Sequence, residues 1–508
     1  MDSIIRRGLS RRSFLAGTAA LGAATFLGTR RASAYDFNIP EPIGELKADG
    51  PFRWLDSGDQ KAVFFRQFFE QYGRERGIET VYDGLPFTEI ATVLPLGIRN
   101  NTAPDVFCLP LGAQPSSAVQ EGWVRSYDDL IPDIESWKAK FPAGAFLEGL
   151  NMFDGKTYGL PYTSGRYCAA TLLFNRKLMN DAGFDPESEP LTWDTFREAA
   201  RKITEGSGGR TYGFIIGGAQ VNRWNDVVRT LAQLAGASCG AGSIYAGIDF
   251  RTGEVVFDAD QFVEAVELLI AMQSDGSIFP GSMSMNAPQA RAFMPQGAAG
   301  MILQGPWNVP QWERENPDFD FGLAQPPTPQ GVEQGYTTGE GVASQGVTVY
   351  INALSRNPEI AADVFHYLGT EQGQIDWANI DGVADAPVFR SAIENSQMSE
   401  RSRAVVALFD KFVRVGPNPF VANAQLSEVA KAYSPPTPSL AETVQGLVTG
   451  QIQGVKESLT ELVSATNTAL DAAIETAKAN GAEVSRDDFV FGNWDPSKDY
   501  TAEDYKAA

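Results

Sequence analysis

The hydrophobic pattern alternates between two periods. Phe52-Arg53-Trp54-Leu55 reads as a short strand and ends at Asp56-Ser57-Gly58-Asp59, a turn and helix-start signal. Val63, Phe65, Phe68, Phe69 and Tyr72 then recur at helical spacing. Glu79-Thr80-Val81-Tyr82 is the next strand, Ile90, Val93, Leu94 and Ile98 mark the next helix, and Pro104 to Leu109 is a third strand. Repeated strand–helix–strand units predict an α/β fold with a mostly parallel sheet, whose ligands bind at the carboxyl ends of strands. The loops after Leu55, Tyr82 and Leu109 are therefore the places to look.

A second series follows Leu160-Pro161-Tyr162. Ala170 to Phe174 is a strand, and Thr192 caps a helix carrying Trp193, Phe196, Ala200 and Ile203 on one stripe. Further helices run through Phe262, Val266, Leu269 and Ile270, and from Gln289 to Met294; the strand Gly300 to Leu303 comes next. Gln325-Pro326-Pro327-Thr328-Pro329-Gln330-Gly331 is the clearest linker. Beyond it lie the Gly-rich Thr338-Gly339-Glu340-Gly341, the strand Val347 to Ile351, a helix from Pro358 to Leu368, and a long helix carrying Val455, Leu459, Leu462, Leu470 and Ile474. Residues 482–508 are polar with scattered aromatics and read as a tail.

Composition and charge narrow the chemistry. The 508 residues exceed the usual single-domain length and carry a formal charge of −22. The first 34 residues hold six arginines and one acid, so the chain without them stands at −27. Such a polyanion is a poor partner for nucleic acid or an anionic membrane. A single histidine, His366, excludes sites that need two imidazole ligands, and three scattered cysteines (Cys108, Cys168, Cys239) form neither a metal cluster nor a disulfide framework. No cofactor or metal is expected.

The N-terminus supplies an address. Arg11-Arg12-Ser13-Phe14-Leu15, a mild apolar run to Gly28 and Ala32-Ser33-Ala34 form a secretory signal that resembles the twin-arginine type, with cleavage after Ala34. The run is too short for a membrane span. The expected mature protein is periplasmic.

Six stretches carry a resemblance. They are Asp154 to Tyr162; Leu173-Phe174-Asn175-Arg176-Lys177-Leu178; Asp181-Ala182-Gly183-Phe184 with Pro190 to Phe196; Ala292 to Met301; Gln304-Gly305-Pro306-Trp307; and Ala353 to Glu359. In this order, behind an export signal, they resemble the extracellular solute-binding proteins of ABC transporters, in the carbohydrate-binding branch. The resemblance implies the type II periplasmic binding fold, two α/β lobes with the ligand in the cleft between them. It implies crossings near Tyr162–Gly165, Pro326–Gly331 and Tyr350–Ala353. One lobe is then 35–162 with 328–350, the other 163–327 with 351–481, followed by the tail at 482–508. It also implies a monomer that hands a small-molecule ligand, a carbohydrate, to an inner-membrane ABC permease without catalysis.

Sugars offer apolar faces to aromatic rings and hydroxyls to Asp, Glu, Asn, Gln and Arg. On that basis and by family position the candidate contacts are Asp59, Gln60, Phe87, Tyr162, Arg166, Trp224, Asn225, Trp307 and Glu340. Trp54 and Trp193 are assigned to the core. Two other readings remain open at this level: a secreted glycoside hydrolase or lyase using paired carboxylates, and a binding protein for a peptide, polyamine or organic anion.

Overall fold

The computed structural model describes residues 35–110, 113–339 and 348–507. The expected export signal at 1–34, Leu111-Gly112 and Glu340 lie outside the described residues. Fourteen strands are present among them: β1 Phe52–Asp56, β2 Thr80–Gly84, β3 Val106–Cys108, β4 Val124–Arg125, β5 Met152–Phe153, β6 Lys156–Thr157, β7 Gly159–Pro161, β8 Thr171–Asn175, β9 Tyr212–Ile215, β10 Ala299–Gln304, β11 Phe321–Ala324, β12 Thr337–Gly339, β13 Thr348–Asn352 and β14 Val413–Val415.

Two sheets organise two bodies. The first runs β2-β1-β3-β13-β4, with β7 on β13; β1, β2 and β3 are mutually parallel and β13 is antiparallel to its neighbours. The second runs β11-β8-β10-β9, with β9 and β10 parallel. The first body is held by aromatic packing. Helix Lys61–Arg76 buries Phe65, Phe68, Phe69 and Tyr72, the stripe legible from their spacing, together with Phe64 in place of the expected Val63, which is only partly buried. They pack over Trp54, whose ring centroid lies 4.7 Å from that of Phe65. Each such ring hides about 150–250 Å² of apolar surface.

Helices Pro358–Leu368 and Glu371–Asp381 complete this same body. Phe365 meets Trp54 at 6.1 Å and Trp377 meets Phe64 at 4.8 Å. They were expected in the other lobe, as part of 351–481. The segment 328–339, expected in the first lobe, stays with the second body: Trp193 donates its backbone N–H to the Thr328 carbonyl at 2.8 Å and its indole N–H to the Pro327 carbonyl at 3.0 Å, while β12 pairs with β14. The Pro-rich stretch is therefore a seam along the second body. The last crossing likewise falls well beyond Tyr350–Ala353, between the helices on the first sheet and β14. The chain passes from β7 in one sheet to β8 in the other, and on the way Ser164 N–H donates to the Ala386 carbonyl at 2.7 Å.

The second body's core takes in helices Trp193–Gly206, Asn222–Leu234, Asp260–Ser274, Leu440–Val448 and Val455–Ala479. Thr192 caps the first of these in a capping box with Thr195. Residues 483–507 are not a free tail. Val484, Phe489, Phe491, Trp494 and Tyr500 are buried in this core, Phe491 N–H donates to Phe250 carbonyl at 2.6 Å, and Tyr500 N–H donates to Val415 carbonyl at 2.7 Å. Their irregular spacing follows no helix or strand period, which hides the burial from pattern reading. Phe491→Ala is expected to cost about 3–5 kcal/mol, read as a lower urea midpoint; an unchanged midpoint would show that the segment contributes nothing to the core.

Candidate functional site

The site is built where strand ends of the two bodies meet. In the first body, the buried Asp56 carboxylate shapes the edge. It accepts the Trp54 indole N–H at 3.0 Å, the Gly58 backbone N–H at 2.7 Å and the Tyr82 hydroxyl at 2.6 Å. Gly58 and Gly84 touch: a Cβ on Gly84 would stand 2.9 Å from the Gly58 Cα, and Gly58 also sits at φ +65°. Only glycine pairs these two loops so closely. The turn presents Asp59, itself at φ 56°, and then Gln60. Phe87 opens the helix after β2 and is half-buried.

Both polar residues reach the second body. An Asp59 carboxylate oxygen lies 3.3 Å from Arg291 Nη2. Gln60 Oε1 accepts from Arg314 Nη2 at 2.7 Å, and its Nε2 lies 3.5 Å from Gln311 Oε1. Arg291 stands on helix Ala287–Phe293, Gln311 and Arg314 on helix Asn308–Glu315. The bodies are thus in direct polar contact across the cleft. None of these three partners was singled out from the sequence. Arg291 immediately precedes the Ala292–Met301 stretch, but an arginine on a short helix carries no signal of its own until its partner is known.

Trp307 follows the end of β10 and is partly exposed. Its indole lies back over Gly305, where a Cβ would come within 2.2 Å of the ring, and the Arg223 guanidinium carbon sits 5.8 Å from the ring centre. Asn225 is half-buried on the first turns of helix Asn222–Leu234. Trp224, next to it, faces the other way: it is 0% exposed and donates its indole N–H to Gly218 carbonyl at 3.2 Å. Tyr162 is 1% exposed, edge-on to Trp377 at 5.1 Å. Trp224 and Tyr162 are core residues under the site and do not form its ligand face. Burial, then the nearby Asp56 and Asp385, push the Tyr162 hydroxyl pKa far up.

Arg166 is committed elsewhere. It is ion-paired to Asp499, donates Nη1 to Val413 carbonyl at 2.9 Å, and lies 4.0 Å from Asp410. With Ser164, Pro387, Arg390 and Tyr505 it lines a crevice of about 320 Å³ between the bodies. Its cation holds the C-terminal segment to the crossing.

A buried charged group underlies the first body's edge. Lys61 Nζ lies 3.8 Å from Asp385. Burial would pull the lysine pKa down, but Asp385 and Asp56 outweigh it and hold it above the ordinary value. Burial raises Asp385 despite Lys61. Burial, then the Asp385 charge, hold Asp381 well above the carboxylate range. The folded chain therefore keeps a proton on Asp381 that the unfolded chain releases above about pH 4. The stability tied to it is complete at low pH and falls as pH rises through the folded-state pKa. Asp381→Asn should gain on the wild type between pH 5 and pH 8 in melting temperature; an equal difference at both pH values would contradict the buried proton.

The model of the family described as "Bacterial extracellular solute-binding protein" matches residues 58–375. Among curated relatives, a binding protein of Brucella abortus (strain 2308) is 29% identical over 259 residues, 51% of this chain and 56% of that protein. The sn-glycerol-3-phosphate-binding periplasmic protein UgpB of Agrobacterium fabrum is 23% identical over 292 residues, 56% of this chain and 61% of that one. The matched stretch thus spans little more than half the length of these relatives. Among solved structures, a Thermotoga lettingae ABC transporter solute-binding protein bound with α-D-tagatose has a TM-score of 0.61 at 19% identity, over 83% of this chain and all of that one. The Thermus thermophilus maltotriose-binding protein scores 0.60 at 19%, over 82% and 99%. These likenesses show the fold, that of type II periplasmic binding proteins. With a family match across well over half its length, and two α/β bodies meeting at their strand ends, this chain belongs to the bacterial extracellular solute-binding proteins.

Proposed function

We propose that the protein captures a sugar or sugar derivative between its two bodies outside the cytoplasm and delivers it to an inner-membrane ABC permease, acting as a monomer and without catalysis. The observation that carries the reading is the pairing of a partly exposed Trp307, on one wall, with the hydrogen-bonding Asp59 and Gln60 presented by the opposite wall. An indole ring packs on the C–H face of a pyranose, while carboxylate and amide groups take hydroxyls in fixed directions. Asn225 and Phe87 are assigned as further contacts. Removal of residues 1–34 after Ala34 releases the mature chain.

Closure follows population shift. A ligand touching both walls favours the closed arrangement by the difference in its affinity for the two states. Asp59–Arg291 and Gln60–Arg314 support the same arrangement, and the closed pair is the form a permease recognises. The kinship to proteins named for maltotriose, tagatose and glycerol 3-phosphate supports a hydroxyl-rich ligand.

Two measurements test the proposal. Mass spectrometry of material released from the purified protein is expected to find a sugar or polyol derivative. A matching compound at 100 times its Kd should add about 2.7 kcal/mol of stability, read as a rise in Tm, and Trp307→Ala should reduce its affinity at least tenfold while leaving the ligand-free Tm within a few degrees. Absence of any ligand-linked rise across a broad panel of sugars, sugar acids, sugar phosphates and polyols would refute carbohydrate capture.

A further inference from the structure

The second body's wall of the cleft holds more buried cation than its own acids neutralise. Arg223 and Arg229 share one carboxylate, Asp226, at 2.5 and 3.8 Å; the three side chains are 11%, 12% and 14% exposed. Arg291 is 5% exposed, and the carboxylate nearest it, Asp59, belongs to the opposite wall and is itself 51% exposed. Guanidinium nitrogens remain over. Among the described residues, Arg223 Nε and Nη1, Arg229 Nε and Arg291 Nε are buried without a hydrogen-bond partner, as is Asp226 Oδ2, which stays ion-paired to Arg223 Nη2.

The orphans on Arg223 and Arg291 lie on elements that meet at one place. Gln304 and Asn308 flank Gly305-Pro306-Trp307; Gln304 Oε1 and both amide atoms of Asn308 are also buried and unpartnered. Gln304 Nε2 donates to Ala287 carbonyl at 3.1 Å, at the start of the helix that carries Arg291, and Trp312 donates its indole N–H to Arg291 carbonyl at 3.1 Å. Arg223 stands over Trp307. The end of β10 and the helices bearing Arg223 and Arg291 therefore converge on the partly exposed indole. Arg291 already reaches across the cleft to a carboxylate, so its guanidinium faces the opening.

Buried polar groups are normally satisfied, and a buried guanidinium is stable only beside an anion. Guanidinium binds carboxylate and phosphate through several directed N–H bonds. We infer that the solute carries an anionic group, a carboxylate or a phosphate, on a sugar or polyol body, and that Arg223 and Arg291 hold that group beside Trp307. The inference rests on the capture function proposed above and adds the charge. Hydroxyls of the same ligand face Asp59 and Gln60 on the other wall, which sets its direction: anion toward the second body, hydroxyls toward the first.

Calorimetry on the purified protein at low salt tests this with matched pairs: D-glucose against D-glucuronate and D-glucose 6-phosphate, and glycerol against sn-glycerol 3-phosphate. At least one charged member should bind tenfold or more tightly than its neutral parent; which member does so separates carboxylate from phosphate. Arg223→Gln should bring that ratio close to one, Arg223→Lys should recover part of it, and both should keep the wild-type circular dichroism. Arg291→Gln gives a second reading where it folds. If the neutral parents bind as well as their charged partners, or the ratio survives Arg223→Gln, the anionic assignment is overturned while sugar capture stands. If neither charged nor neutral members bind, the anionic assignment is overturned for these bodies, while the capture function stands or falls with the broad panel above.

Discussion

One buried carboxylate sets the geometry on which the cleft depends. Asp56 is nearly inaccessible to solvent and accepts three hydrogen bonds, from the strand that precedes it, from the turn that follows it and from the neighbouring strand β2. A carboxylate tolerates burial only when its oxygens are occupied in this way. Satisfying it fixes the turn at Gly58, and the turn in turn fixes where Asp59 and Gln60 project. The contact of Gly58 with Gly84 locks the next loop to the first. Loss of that one acid would loosen two strand ends together, and with them the whole first wall.

The two walls differ in sign. The first carries Asp56, Asp59 and Asp385 around a single buried lysine, with Asp381 held protonated beside them; the second carries Arg223, Arg229, Arg291 and Arg314 against Asp226 and Glu315. Direct pairing of Asp59 with Arg291 shows how such walls attract when nothing lies between them. The same attraction must be exchanged for ligand contacts when a solute enters, so the net gain on binding is smaller than its contacts alone suggest. A cleft of this kind discriminates by which charges a solute can satisfy as much as by its shape.

Much of the fold is legible in the sequence because it obeys a period. The aromatic stripe Phe65, Phe68, Phe69 and Tyr72, the Thr192 cap and the core placement of Trp54 and Trp193 all follow from local rules. The loop holding Asp59 and Gln60 is found because the carboxyl end of a strand in a parallel sheet is a general binding position. Facing is harder. Trp224 and Trp307 both sit beside Gly-rich turns after strands, yet one is fully buried and the other partly exposed; the difference is set by which neighbours each ring finds in space. Arg291 and Arg223 look like ordinary surface arginines until the opposite wall is in place. The Pro-rich stretch reads as a linker because its composition is that of one, and only the backbone bond from Trp193 to Thr328 shows it pinned down.

The C-terminal segment has a consequence for how the molecule is made. The second body's core draws on strands from residue 171 onward and closes with Phe491, Trp494 and Tyr500, and Asp499 ties that closure to Arg166 at the crossing between the bodies. Sequence separations exceeding three hundred residues must be bridged before this core is dry, and closing long loops is entropically slow. A growing chain can assemble much of the first sheet early, but the second body waits for residues 484–500. A chain lacking residues 484–500 would display an open, aromatic-lined core.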